Sequence, residues 1–187
     1  MFTQAEKRIS LKDFLQLPET KPIKEFINGY VYEKPMPKGK HSTIQTFLTT
    51  AINQQGFINK KCCAFTELRC NFDERSIVPD ISIINWEKIP KDEKGEIANI
   101  IEIAPDWIIE ILSPQQSSIR VIDNILFALN HGSQIGWLID PQERIIMTFL
   151  PNQQPQIKQN QDLLPVLSSL SHWQICPQEI FNYLTFI

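Results

Sequence analysis

Two Pro-Asp dipeptides, each opening an apolar run, constrain this chain more than any other feature: "SIVPDISII" over residues 76–84 and "APDWIIEIL" over residues 104–112. Both runs read as core strands. The second, however, carries Glu110 in its middle. Side chains alternate along a strand, so Asp106, Ile108, Glu110 and Leu112 share one face, and Trp107, Ile109, Ile111 and Ser113 the other. A carboxylate embedded among apolar neighbours needs a cation, a metal ion or a proton.

Two answers stay open for Glu110. One is a structural ion pair with Arg69, Arg75 or Arg120. The other involves Asp80, which heads its own apolar strand, "PDISII". If the two strands pair, Asp80 and Glu110 converge. Their mutual repulsion would raise the pKa of one of them unless a divalent ion neutralised both. Mg²⁺ suits such a pair, since it takes one or two carboxylates, retained waters and phosphate oxygens. It would then activate a water and stabilise charge on a phosphodiester. Asp106 lies four residues before Glu110, roughly 13 Å away along an extended strand. That is too far to share the ion, and Asp106 is assigned to the strand entrance.

At 187 residues the chain fits one domain spanning residues 1–187, with enough apolar residues for a core. Ser10, with Asp13 three positions on, predicts a capped short helix ending at Pro18. "IKEFINGYVYEKP" predicts a hairpin turning at Asn28-Gly29, with Glu25 near its start. Ile44, Phe47, Leu48, Ala51 and Ile52 predict an amphipathic helix stopped by Gly56. "KCCAFTELRCNF" and "SIVPDISIIN" each read as one strand. "RVIDNILFALNHG" reads as a helix with Ile122, Ile125, Leu126 and Leu129 as its apolar stripe, and "QIGWLIDPQERIIMTFLP" as two strands around Asp140-Pro141. Residues 152–187 are Gln- and Pro-rich, with the apolar "EIFNYLTFI" at the end belonging either to the core or to an interface. The order implies an α/β (α+β) domain with a mixed sheet.

The net charge of −3 provides no global basic field for nucleic acid or membrane, although a metal-recruiting carboxylate site brings its own positive charge. Cys62, Cys63, Cys70 and Cys176 contain no C-x-x-C pair and are expected to be reduced thiols. Neighbouring Cys62 and Cys63 would point to opposite strand faces, which argues against a zinc site. The N-terminal "MFTQAEKRISLKDF" has no apolar signal core, and no run reaches a membrane span, so a soluble cytoplasmic protein is expected.

Four segments in order, "IKEFINGYVYEKPMPKGKHSTIQ", "SIVPDISII", "APDWIIEILSPQQSS" and "NILFALNHGSQIGWLIDP", resemble the Uma2 family (DUF820) over about residues 10–150. That family is assigned endonuclease activity and the PD-(D/E)XK restriction-endonuclease-like fold. The resemblance implies a mixed central sheet flanked by helices, Asp80 and Glu110 as metal ligands, and Glu25 as a further acidic site residue. It also implies Arg120 at the family's basic position downstream. The strict motif has Lys two residues after the glutamate, and this chain has Leu112. Arg120 stays protonated, so it suits clamping a phosphate rather than acting as a base. His41, with Lys38 and Lys40, is the candidate for substrate contact. His131, His172 and Trp137 read as structural. Glu67 is a candidate for a supporting role or a pair with Arg69.

The implied function is Mg²⁺- or Mn²⁺-dependent hydrolysis of DNA, with a basic groove built from Lys38, Lys40, Arg75 and Arg120. Action on both strands of a duplex suggests a homodimer. The alternative is a catalytically inactive relative that binds nucleic acid or protein, marked by dispersed acids or by Arg120 locked onto Glu110.

Overall fold

The structure, a computed structural model, describes residues 8–114 and 116–186. The expectation about a signal core rests partly on residues 1–7, which lie outside them. Among the described residues, ten strands form two sheets. The larger is mixed and has six strands: β3 (Cys62–Thr66), β6 (Ile81–Asn85), β7 (Trp107–Ile111), β8 (Ile135–Asp140), β9 (Ile145–Phe149) and β10 (Gln156–Lys158). They lie side by side as β3-β6-β7-β8-β9-β10, and only β7 and β8 run parallel. The smaller sheet is antiparallel, in the order β2-β1-β5-β4, from β1 (Lys24–Ile27), β2 (Tyr30–Glu33), β4 (Cys70–Phe72) and β5 (Arg75–Ile77).

The parallel β7–β8 pair needs a crossover, and α3 (Ser118–Asn130) supplies it. One face of the large sheet packs Trp107, Ile109 and Trp137 against Ile44, Leu48 and Ile52 of α2 (Gly39–Gly56). The other face packs Ile84, Ile108 and Leu138 against Val121, Ile125 and Ala128 of α3 and against Ile27 and Ile77 of the small sheet. Strands buried on both faces explain why the sequence runs are continuously apolar. Helix α1 (Leu11–Leu15) starts as expected, with the Asp13 amide donating to Ser10 Oγ at 3.1 Å. Asn28 and Gly29 both take positive φ (53° and 90°), the requirement of a tight two-residue hairpin turn.

Several expectations fail for identifiable reasons. "KCCAFTELRCNF" is two strands in different sheets, because Glu67 adopts a φ of 50° and turns the chain from β3 toward β4. "SIVPDISIIN" likewise splits at Val78-Pro79-Asp80, where proline has no N–H for a ladder. In α3 the buried stripe is Val121, Asn124, Ile125 and Ala128, while Leu126 is exposed. The helix is rotated to bury Asn124. Helix α2 does end at Gly56, but Gly56 is its last helical residue and not a left-handed cap: the Phe57 amide still donates to the Asn53 carbonyl, and a Cβ at Gly56 would collide with Cys62 Sγ. The C-terminal region contributes Leu164, Leu167, Leu170 and Ile175 to the core, together with Ile180 and Phe181 of α4 (Pro177–Asn182). Of the final apolar stretch, Ile180 and Phe181 thus belong to the core, whereas Phe186 is exposed.

Candidate functional site: carboxylates sharing one ammonium

The β6–β7 register pairs Ile81 with Ile109, so the next step brings Asp80 opposite Glu110. Directly opposed residues of an antiparallel pair project to the same side. The two acids therefore sit together, 1% and 3% exposed, on the face covered by α3. Asp80 is held from several directions. Its Oδ2 accepts from the Ile111 amide at 2.6 Å, and Gln45 Nε2 of α2 donates to its carbonyl at 2.8 Å. His41, at the start of α2, places Nε2 3.0 Å from the same Oδ2. His41 Nδ1 is buried with no hydrogen-bond partner among the described residues.

Among the described residues, Glu110 pairs with none of Arg69, Arg75 and Arg120. Lys34, just past β2, places Nζ 3.0 Å from Glu110 Oε2 and 2.7 Å from Asp80 Oδ1. The same ammonium donates to the Val78 carbonyl at 2.7 Å. Three N–H donors meet three oxygens, which saturates an ammonium. Glu25 completes the group from β1. Its Oε1 accepts from the Val78 amide at 2.8 Å, and Asn124 Nδ2 approaches its Oε2 at 3.4 Å. Glu25 thus ties the small sheet to the segment that positions Asp80.

The electrostatics follow from burial and from this shared cation. Burial opposes charge on Asp80, but the Lys34 ammonium and the His41 hydrogen bond outweigh it and hold Asp80 well below the usual carboxylate range. Burial dominates at Glu110. Asp80 and Glu25 add repulsion, Lys34 only partly compensates, and the Glu110 carboxyl is pushed well above its ordinary value. For Lys34, burial is overcome by attraction from Asp80, Glu110 and Glu25, so its pKa lies above the ordinary lysine value. Three buried acids thus share the surroundings of one ammonium.

The other expected residues surround this cluster. Arg120 is exposed and lies over the Tyr32 ring, 4.1 Å from its centroid, on the wall of a cleft of about 270 Å³ that also reaches Glu25, Lys34 and Glu110. No hydrogen bond or ion pair joins it to Glu110 among the described residues, and the acids are not dispersed. Lys38, Lys40 and His41 line a second cleft of about 710 Å³, separated from the first by Gln116. Arg75 does not belong to any basic groove: it is 5% exposed, paired with Asp123 at 2.8 Å, and stacked over Phe127. Arg69 pairs with Glu19 instead of Glu67. Glu67 is exposed beside the cluster, lining a small cleft with Lys34, His41 and Asp80. Asp106 is structural, as assigned. It accepts from the Asn85 amide at 2.8 Å, Lys88 Nζ at 2.6 Å and Gln134 Nε2 at 2.9 Å.

The sequence profile of the Uma2 family, described as "Putative restriction endonuclease", matches residues 11–179. The chain belongs to the Uma2 family. A search of solved structures matches this Uma2 chain to a crystal structure described as "a putative nuclease belonging to DUF820" from Anabaena variabilis ATCC 29413. The two are 47% identical with a TM-score of 0.93, over 95% of this chain and 99% of the other. No match is found among curated proteins. The Uma2 chain therefore has the fold of a nuclease-like family. No helix among its described residues is long and apolar enough to cross a membrane.

Lys34 is the residue that reading the sequence missed. A signal existed. The Asn28-Gly29 turn pairs Glu25 with Tyr32, and alternation puts Lys34 on the same face two residues on, diagonal to Glu25.

Proposed function

We infer that this Uma2 protein is a Mg²⁺- or Mn²⁺-dependent DNA endonuclease of PD-(D/E)XK type, acting in the cytoplasm as a homodimer. The observation that carries the reading is the convergence of Asp80 and Glu110 on a single cation. The residues fit a divalent ion. The donors around Lys34 Nζ are hard oxygens, two from carboxyl groups and one from the Val78 carbonyl. Mg²⁺ usually keeps several waters and is bound through one or two carboxylates, so two acids would suffice. Asp80 and Glu110 would hold it. When bound, it would supply Lewis-acid activation of water and charge neutralisation at the phosphodiester.

The chain's own groups account for the remaining tasks. Arg120 faces the cleft beside Glu110 and can clamp phosphate oxygens as negative charge builds up. Lys34 supplies the ammonium that the strict motif would place at Leu112. The second cleft presents Lys38, Lys40 and the start of α2, which suits a neighbouring phosphate of the same strand. His41 orients Asp80 through the contact at Oδ2. The hydrolysis breaks one P–O ester bond and adds water across it, so no further co-reactant is required.

The test is cleavage of supercoiled plasmid DNA with Mg²⁺, Mn²⁺ or chelator, comparing wild type with Asp80→Asn and Glu110→Gln. Metal-dependent nicking that falls at least about 100-fold in both variants supports the reading. A second reading, a non-catalytic nucleic-acid-binding relative, is favoured by the lysine that occupies the space between the acids. It predicts DNA binding without cleavage under every metal condition.

A further inference from the structure

We propose that Lys34 is a tethered cation that holds the divalent-ion position in the DNA-free protein and leaves it when a DNA phosphate enters the adjoining cleft. The inference rests on the reading of Asp80 and Glu110 as a metal site. Lys34 Nζ does not bridge the acids from one side. It contacts Asp80 Oδ1, Glu110 Oε2 and the Val78 carbonyl within 2.7–3.0 Å, using the donor oxygens that a hard cation would take. An ammonium and a metal ion cannot both occupy that position. Loading the ion therefore requires Lys34 to move.

The surroundings permit that movement in the side chain alone. The Lys34 amide is fixed by donation to the Ile23 carbonyl at 2.8 Å, and Pro35 follows immediately. The stem, in contrast, is flexible, and its side chain lines the walls of two clefts, one shared with Arg120 and the other with Lys21 and Glu67. The first is the cleft in which Arg120 would receive a phosphate. A phosphate there gives the ammonium a new anionic partner and frees the three oxygens. Binding of DNA and of metal are then positively coupled, and the coupling is reciprocal.

Mn²⁺ titration calorimetry on the full-length protein tests this directly. Lys34→Met and Lys34→Gln should bind Mn²⁺ at least about tenfold more tightly than wild type without DNA. Lys21→Gln removes a charge from the same neighbourhood without freeing a donor oxygen, and should gain less than about threefold. In wild type, a non-hydrolysable phosphorothioate duplex in excess should tighten Mn²⁺ binding by about tenfold or more. Lys34 variants that bind no more tightly than wild type overturn the proposal, as does a gain in Lys21→Gln equal to theirs. Should both Lys34 variants fail to fold, the wild-type measurement decides, and absence of coupling to the duplex overturns it. The outcomes separate from the nuclease reading. Cleavage by wild type with no metal gain in the Lys34 variants defeats the tethered cation alone, whereas a metal gain without plasmid cleavage defeats the nuclease alone.

Discussion

Removing Lys34 should cost the metal-free protein stability in a pH-dependent way, and the dependence identifies which acid suffers. In Lys34→Met the stem is replaced by a side chain of similar volume, while Asp80 and Glu110, 1% and 3% exposed, keep their positions without their shared cation. Breaking a buried ion pair by deleting one partner costs about 3–5 kcal/mol. At roughly 2–4 °C per kcal/mol for a chain of this size, the melting temperature should fall by about 6–20 °C near neutral pH. Glu110 limits the loss, because it can bind a proton.

The pH course follows from three shifts. Lys34 has a raised pKa, so its contribution is complete below the ordinary 10.5 and disappears only at higher pH. Asp80 has a lowered pKa, so its contribution is complete above the ordinary 3.8 and disappears only as pH falls below that value. Between pH 5 and 8.5 both are therefore constant. Glu110 is pushed up from 4.5, so the folded state holds its proton more tightly, and stability declines over a window that opens at 4.5 and closes at the raised value. Without Lys34 the window extends to higher pH. Urea unfolding in chelator at pH 5, 7 and 8.5 should thus show a deficit of about 3–5 kcal/mol from the lost Lys34–Asp80 pair, growing with pH only where Glu110 is ionised in wild type and still protonated in the variant. A deficit that shrinks as pH rises, or one smaller than about 1 kcal/mol at pH 7, would refute the reasoning that Lys34 neutralises buried charge.

Two further substitutions separate neighbouring groups by role. Asp106→Asn weakens acceptors for Asn85, Lys88 and Gln134 and should cost about 1–3 kcal/mol in urea unfolding, while Mn²⁺ affinity measured by calorimetry stays at the wild-type value. Arg120→Ala should leave thermal stability within about 0.5 kcal/mol of wild type, since its side chain is exposed. In fluorescence-anisotropy titrations it should weaken DNA binding and reduce the dependence of log K on log salt by about one contact's worth.

The different legibility of these residues has a physical cause. Asp80 and Glu110 announce themselves because an acid inside an apolar strand violates the local pattern, and a pairing of consecutive strands suffices to bring them together. Asp106 is separable from them by strand rise alone. The places where a strand leaves one sheet for the other are less visible, since Glu67 reaches positive φ without glycine or proline to mark the turn. The rotation of α3 that buries Asn124 brings its amide within 3.4 Å of Glu25, which is 99 residues away in sequence. Arg75 misleads because nothing local distinguishes an arginine stacked on Phe127 and paired with Asp123 from one that lines a groove.

Lys34 belongs to neither group, and it bears most directly on how the site works. Its local context, "YEKPMPKGK", is that of a charged connection between a hairpin and a helix. Only the hairpin register, carried two residues past Tyr32, aims it inward. The position two residues after Glu110 projects from the same strand face as Glu110, so a lysine there would be tied to the acid's own strand. Leu112 occupies that position here, and the ammonium arrives instead from the other sheet, on a stem whose base is fixed and whose tip meets three oxygens. A cation brought in from a separate element can be moved without disturbing the strands that hold the acids. Under the tethered-cation proposal, this independence would let the same pair of carboxylates be neutralised by lysine in one state and by a divalent ion in another.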